Sequence, residues 1–421
     1  MLGRCLEYQS LKTVLLHMDA NVRFQISLHM PTIKNVEKVV PLKINKLHMS
    51  DCSTKVNDSI YAVGVHRQYP EGDVTEKWTT AVRSKYDYDE FGFPLVSGVD
   101  ILLPGDVSFR QDNQQVRFDT EEDERMIRRG LRYYEENLSE DPVFHASCIE
   151  ARKQELLPFD CRRNNTKRPF DCYIEVAILK KEGQYQRFEY NKKLFEAAKY
   201  LNEVLFGGRR VPIQVGKFDF AHRVIYRLPV GFRLQIQKIS PHHNGILHKS
   251  FPSMVENAKS LNCLTVEDRR LPNNAHECPI IRNAKRLVIG RFYWNETPVP
   301  LLNMESLPNP EICILQNDQG NSPGSYLTMI YNWLDGWRAI GHSLWIQTED
   351  DDDTGRNMAN DVLRLLKIPF AENMLTEIIT SDGSSISTCT TFPLNSFARL
   401  EIRSVPFKKA SWMLKVKILE V

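Results

Sequence analysis

The feature that most constrains this chain is a short segment that recurs through its C-terminal half. The stretches at 231–236, 257–264, 283–289 and 309–315 start about 26 residues apart and each ends in a strand-like apolar run. The copies beginning at Asn257 and Asn283 share Asn-Ala-Lys, whereas the outer two keep only the strand-like ending. A βα unit of this length cannot bury its apolar face alone. It must stack on its neighbours, which produces a curved sheet with an extended exposed face.

The flanking sequence continues the alternation. Residues 172–179 read as a strand, and Leu194, Ala198, Leu201 and Leu205 as one face of a helix closed by Gly207 and Gly208. Residues 211–215 read as the next strand. After the repeats come a helix over 326–337, with Leu327, Ile330, Leu334 and Trp337 in phase, and a strand over 343–347. Residues 397–402 and 412–418 alternate as closing strands. The period lies in the range of leucine-rich repeats.

The N-terminal half differs. Residues 1–45 predict three short helices. Leu11, Val14, Leu15 and Met18 share one helical face behind Ser10 as N-cap, Val22, Ile26 and Met30 mark a second helix, and Pro31 opens a third with Ile33, Val36 and Val40. Residues 42–49 and 59–65 predict strands, and the aromatic, acidic stretch 86–94 an ordered loop. Thr120 and Asp123 form a capping-box pattern ahead of a helix carrying Ile127, Leu131, Tyr134 and Leu138 on one face. Residues 139–170, charged and lacking apolar periodicity, predict a linker or exposed loop. The expected architecture is therefore a mix of α+β and α/β: a three-helix bundle (1–45), a small β-rich module with a helix (46–138), a linker (139–170) and a leucine-rich-repeat-like stack of βα units (171–421).

Charge narrows the function classes. The 421 residues carry 55 basic and 53 acidic side chains, a net +2, so no global field points to nucleic acid or an anionic membrane. The first residues lack the apolar run of a signal peptide, and 18 apolar residues never run together, which predicts a cytoplasmic or nuclear protein. The nine cysteines are scattered without a Cys-x-x-Cys pair and read as free thiols.

A search for chemistry finds little. Gly320-Asn-Ser322-Pro-Gly324 matches the Gly-x-Ser-x-Gly pattern of a nucleophile elbow, which makes a serine hydrolase using Ser322 the remote alternative. The residue after that serine must donate its N–H to an oxyanion, and Pro323 has none. His242, His243 and His248 cluster without a metal-ligand spacing, and Cys161 and Cys172 cannot be assigned to them. The acidic run 349–353 precedes a helix and suits its N-terminal dipole, and the basic run 162–168 reads as a solvated surface. No phosphate loop, zinc helix or calcium loop appears. No catalytic residue, metal or cofactor is expected.

The three-helix start, from Leu6-Glu-Tyr-Gln-Ser-Leu11 through Ser27 with Pro31 opening the third helix, resembles an F-box. Together with residues 40–44, the segment 86–94 and Leu103-Pro-Gly-Asp106, it is similar to the nematode F-box C family, and the stretch 332–341 resembles F-box-associated domains of the same lineage. The chain has Leu6-Glu7 where F-boxes commonly open with Leu-Pro. The resemblance implies that the N-terminal bundle docks a Skp1-like adaptor on a cullin scaffold, with Leu6, Leu11, Leu15 and Pro31 as candidate contacts. The C-terminal repeats would then hold an unidentified protein substrate, and catalysis would be by proximity to the ubiquitin-conjugating enzyme, without a catalytic residue in this chain. The alternative is a non-ligase interaction or sensing protein whose bundle is only a structural cap.

Overall fold

A computed structural model describes residues 8–70, 84–95, 101–109, 119–139, 141–180, 184–221, 224–239, 251–257, 261–267, 277–291, 306–316, 323–336, 338–347, 361–362, 364–365, 375–381, 385–408 and 411–421. In chain order, helices α1 (Tyr8–His17), α2 (Ala20–His29) and α3 (Pro31–Val39) precede strands β1 (Lys43–Met49), β2 (Ser53–Val56) and β3 (Ser59–Gln68). Short strands β4 (Asp87–Tyr88), β5 (Pro94–Leu95) and β6 (Val107–Ser108) lead to α4 (Glu121–Glu136) and α5 (Pro142–Arg163). Then come β7 (Asp171–Leu179), β8 (Gln184–Glu189), α6 (Leu194–Phe206), β9 (Ile213–Phe220), β10 (Ile225–Tyr226) and β11 (Leu234–Ile239). Next are α7 (Phe251–Met254), β12 (Cys263–Glu267), α8 (Pro279–Arg282), β13 (Arg286–Arg291), β14 (Glu311–Gln316), α9 (Pro323–Leu334) and β15 (Ser343–Gln347). The chain closes with β16 (Leu375–Ser381), β17 (Ser385–Pro393), β18 (Ala398–Lys408) and β19 (Ser411–Glu420).

The fold is mixed α/β, with helices at the N-terminus and a large mixed sheet. Two compact units form, one from Met1–Val40, His48–Val211 and Arg223–Phe232, the other from Pro41–Leu47, Pro212–His222 and Arg233–Val421.

In the first unit, β2, β3, β7 and β8 pair antiparallel in that order. Leu194, Ala197 and Ala198 of α6 pack with Val63 and Val65 of β3 and with Cys172 and Ile174 of β7. The stretch 86–94, expected as a loop, is a tight hairpin of β4 and β5. Its turn is held by Asp89, whose Oδ1 accepts from the backbone N–H of Phe91, Gly92 and Phe93 at 3.0, 2.8 and 2.8 Å. Asp87 of the same hairpin is buried and accepts from Leu194 N at 3.0 Å and from the Tyr190 hydroxyl, so it caps α6 from a distant part of the chain.

The capping box of α4 is present: Asp123 N donates to Thr120 Oγ1 at 3.2 Å and Thr120 N to Asp123 Oδ2 at 3.0 Å. Where a linker or exposed loop was expected over 139–170, the structure has α5, a helix of 22 residues. Asp141 caps it by accepting from Phe144 N at 3.1 Å, and Pro142 occupies its first turn, where a missing N–H costs nothing. Leu156 and Phe159 of α5 pack with Phe93 and with Ile127 and Leu131 of α4.

In the second unit, β9, β11, β12, β13, β14 and β15 run parallel, and β15 continues antiparallel into β19, β18, β17 and β16. The four recurring segments supply β11 to β14, one parallel strand each. Asn257 and Asn283, which open the two clear copies, stand at different distances from their strands, however. The register sets Cys263 beside Arg286 and Leu264 beside Leu287, so the strand starts farther from Asn257 than the next one does from Asn283. One face forms apolar rows. Leu264, Leu287, Ile312 and Leu344 lie side by side, as do Val266, Ile289, Ile314 and Ile346, all buried. Each such side chain contributes roughly 1.5–3 kcal/mol by its burial. Phe251 and Met254 of α7, Ile280 and Ile281 of α8, and Tyr326, Ile330 and Trp333 of α9, helices that lie between these strands in sequence, are buried as well. The buried Asn309 amide donates to Ile281 O and Ala284 O at 2.7 and 2.8 Å, so carbonyls left over between strands are satisfied by a side chain.

Candidate protein-docking surfaces

The N-terminal helices bury polar groups beside apolar ones: Asn21, Arg23, Glu37 and Lys38 are buried with Leu15, Ala20 and Phe24. Asp19 caps α2 by accepting from Asn21 N at 2.8 Å. Asn21 is buried, donating to Val56 O at 3.1 Å and accepting from the Tyr61 hydroxyl at 2.9 Å. Phe24 meets Tyr61 and Phe206 edge-on, each at 5.9 Å between ring centroids.

Beneath α2 and α3 lies a buried ionic cluster. The side chain of Glu37 is 0% exposed; its Oε1 accepts from Arg23 Nε at 3.0 Å and from an Arg209 terminal nitrogen at 2.7 Å. Arg23, 1% exposed, also donates to Glu37 O and Val40 O at 2.9 Å each. Burial pushes the pKa of both guanidinium groups below the usual arginine value. Lys38 points to the end of α6, donating to Val204 O at 3.2 Å and Leu205 O at 3.4 Å, and burial together with the Arg209 charge lowers its pKa to about 8.

That lowered value has a measurable sign. Unfolded Lys38 titrates near 10.5, so between about pH 8 and 10.5 the unfolded chain binds more protons than the folded one, and stability from this residue rises with pH. Wild type is therefore expected to gain stability relative to Lys38→Met between pH 8 and 10 in urea unfolding. A difference that is flat or falls with pH would contradict desolvation of Lys38.

Other apolar side chains of the same helices lie outside. Tyr8 is 52% exposed, Val14 43%, Val22 42%, Leu28 52% and Met30 49%. Of the expected adaptor contacts, Leu15 is buried in the helical core, Leu11 is half-buried, and Pro31 is exposed at the start of α3. Leu6 lies outside the described residues. Helical periodicity placed Leu11, Val14, Leu15 and Met18 on one face. Leu15 alone of these is buried, and the signal that Val14 faces outward lay in its long-range surroundings.

The second surface is the other face of the parallel strands. Cys263, Arg286, Glu311 and Ser343 form one row, and Val288, Cys313, Trp345 and Lys415 another. Arg286 pairs with Glu311 at 3.4 Å, and the Lys415 ammonium sits 4.4 Å from the Trp345 ring centroid. A shallow hollow of about 520 Å³ opens over Lys238, Cys263, Arg286, Glu311 and Ser343. Burial raises the pKa of the Cys263 and Cys313 thiols, which keeps them protonated and poor nucleophiles. Among the described residues this face carries the Arg286–Glu311 pair and the Trp345 ring, while Val288 and Cys313 are buried with Met413 in an apolar cluster.

The other expected sites are quickly placed. Pro323 opens α9, while Ser322, His242, His243, His248 and the run 349–353 lie outside the described residues. Cys161 and Cys172 are free and buried. Among the described residues, no group of three or more His, Cys, Asp or Glu side chains is placed to hold a metal ion, and no helix is long and apolar enough to cross a membrane.

Residues 193–350, running from the start of α6 past β15, match a family described as a domain of unknown function (DUF3557). No curated protein and no solved structure matches the chain.

Proposed function

We propose that this chain is a non-catalytic substrate receptor of a Skp1–cullin ubiquitin ligase, docking the adaptor through its N-terminal helices and a target protein through a leucine-rich-repeat-like stack, β11 to β15. The observation that carries this reading is the set of exposed apolar side chains on α1 and α2, with Tyr8, Val14, Leu28 and Met30 uncovered while Arg23, Glu37 and Asn21 are buried. Exposed apolar positions backed by a rigid polar interior suit an interface, where a few such residues carry most of the binding energy. The receptor contributes proximity: holding a target beside a charged conjugating enzyme raises effective concentration. The interior polar network favours a second reading, in which the helices are a structural cap, because Asn21, Tyr61, Glu37 and Arg209 tie them into the first unit.

One experiment separates the two. The tagged full chain is expressed in cells with a Skp1-like adaptor, alongside a variant carrying Val14→Asp, Leu28→Asp and Met30→Asp. The intact chain is expected to recover the adaptor, and the variant to lose it by roughly 30-fold or more at an unchanged unfolding midpoint. Recovery of no adaptor by the intact chain would leave the structural cap.

A further inference from the structure

The first unit also holds a cavity of about 740 Å³ between the β4–β5 hairpin, the end of β3 and the α4–α5 pair. That volume lies in the range that encloses small organic ligands. Its wall is aromatic. Tyr69 and Tyr88 flank Phe170, with ring centroids 5.2 and 5.5 Å from it, and Phe91 and Phe93 line the hairpin side. The wall is also set in advance. Asp89 locks the turn that carries Phe91 and Phe93, and Gly92 takes φ of +98°, which a side chain rarely adopts. Arg168, behind the hairpin, donates to Tyr88 O and Asp89 O at 3.1 and 2.6 Å.

Charge decides what such a slot takes. Arg67 lines the cavity half-buried, its guanidinium carbon 5.5 Å from the ring centroids of both Tyr88 and Phe170. Among the described residues no carboxylate forms an ion pair with it. The other charged groups of the lining are occupied: Arg152 pairs with Glu155 at 2.5 Å, and Asp123 serves the α4 cap. A guanidinium held on ring faces keeps its planar N–H edge for an anion, and such a charge-assisted fork is strongest with a carboxylate or sulfonate.

We infer that this cavity binds a small planar aromatic anion, of the aryl carboxylate or aryl sulfonate class, with its ring among Tyr69, Tyr88 and Phe170 and its acid group on Arg67. The site is separate from the adaptor reading and stands or falls without it.

Titration calorimetry on the purified full chain tests this with naphthalene-2-sulfonate as probe. Two controls share one property each, namely naphthylmethylammonium, aromatic but cationic, and cyclohexanecarboxylate, anionic but not aromatic. The sulfonate is expected to bind once per chain, the controls at least tenfold more weakly, and Arg67→Met to weaken the sulfonate by roughly tenfold or more. Arg67→Lys, which keeps the charge without the planar fork, is expected to fall between. No heat from the sulfonate at millimolar concentration, equal binding of the cationic control, or an Arg67→Met chain that folds and binds like wild type would each overturn the assignment. The control comparison uses only the wild-type chain, so it holds even if the variants fail to fold.

Discussion

Replacing Glu37 by Leu is expected to cost about 3–5 kcal/mol of folding stability, read as a lowered urea midpoint at unchanged slope. Leu is close to Glu in size, so the loss is expected to be electrostatic rather than steric. Glu37 is a carboxylate shared by Arg23 and Arg209, and its removal takes that ion pair from two guanidinium groups held out of water. Arg23 keeps its bonds to the carbonyls of residues 37 and 40, which limits the penalty to the lost ion pairs. Because whole domains are stable by only about 5–15 kcal/mol, this one change takes a large share of the total. The carboxylate helps attach the N-terminal helices, so the placement of the exposed Val14, Leu28 and Met30 should be lost along with it. A loss under about 1 kcal/mol would mean that water reaches the cluster and that the helices are not packed as described.

None of that cluster could be read locally. Arg23 and Glu37 are 14 positions apart and Glu37 and Arg209 are 172 apart, and a charged residue on a short helix reads as solvated until its partner is known. What periodicity encodes was legible. The face of α6, the Thr120–Asp123 capping box and the strands β11 to β15 depend on neighbours within a few residues or on alternation along one strand. The α5 helix was not legible because its contacts are sparse and varied. Phe144 is 55% exposed and Val143 85%, Pro158 lies inside it, and it is held by Phe159 on Phe93, by Arg162 over the same ring at 4.6 Å, and by Asp160 with Arg128 and Arg163. Such a helix has no apolar stripe to detect. The shared Asn-Ala-Lys misled in the opposite direction, because a three-residue match cannot set the register of a parallel sheet, whereas the rows through Leu264, Leu287 and Ile312 do.

The second large effect is expected at the Leu103-Pro-Gly-Asp106 turn, whose four residues have a purely structural explanation. Asp106 N donates to Leu103 O at 2.9 Å and Leu103 N to Asp106 Oδ2 at 2.9 Å, closing the turn twice. The carboxylate is fully buried between Lys199, at 2.9 Å, and Arg227, at 2.7 Å. Both cations are also bound to carbonyls of this neighbourhood, Lys199 to Pro104 O and Leu228 O, and Arg227 to Ile101 O at 2.6 Å. Gly105 has φ of +92°, and a Cβ there would meet Leu228 O at 2.7 Å, so the glycine is what lets the turn approach the chain that follows Arg227. Asp106→Ala should therefore lose about 3–5 kcal/mol, because Lys199 and Arg227 both lose the buried carboxylate they share. Gly105→Ala should lose about 1–3 kcal/mol through backbone strain and the carbonyl contact. Combined in one chain, the two losses should add to less than their sum, because each variant already opens the same turn. Full additivity in urea unfolding would show that the turn and the ion pairs are independent. A near-neutral Asp106→Ala would show that Lys199 and Arg227 reach solvent.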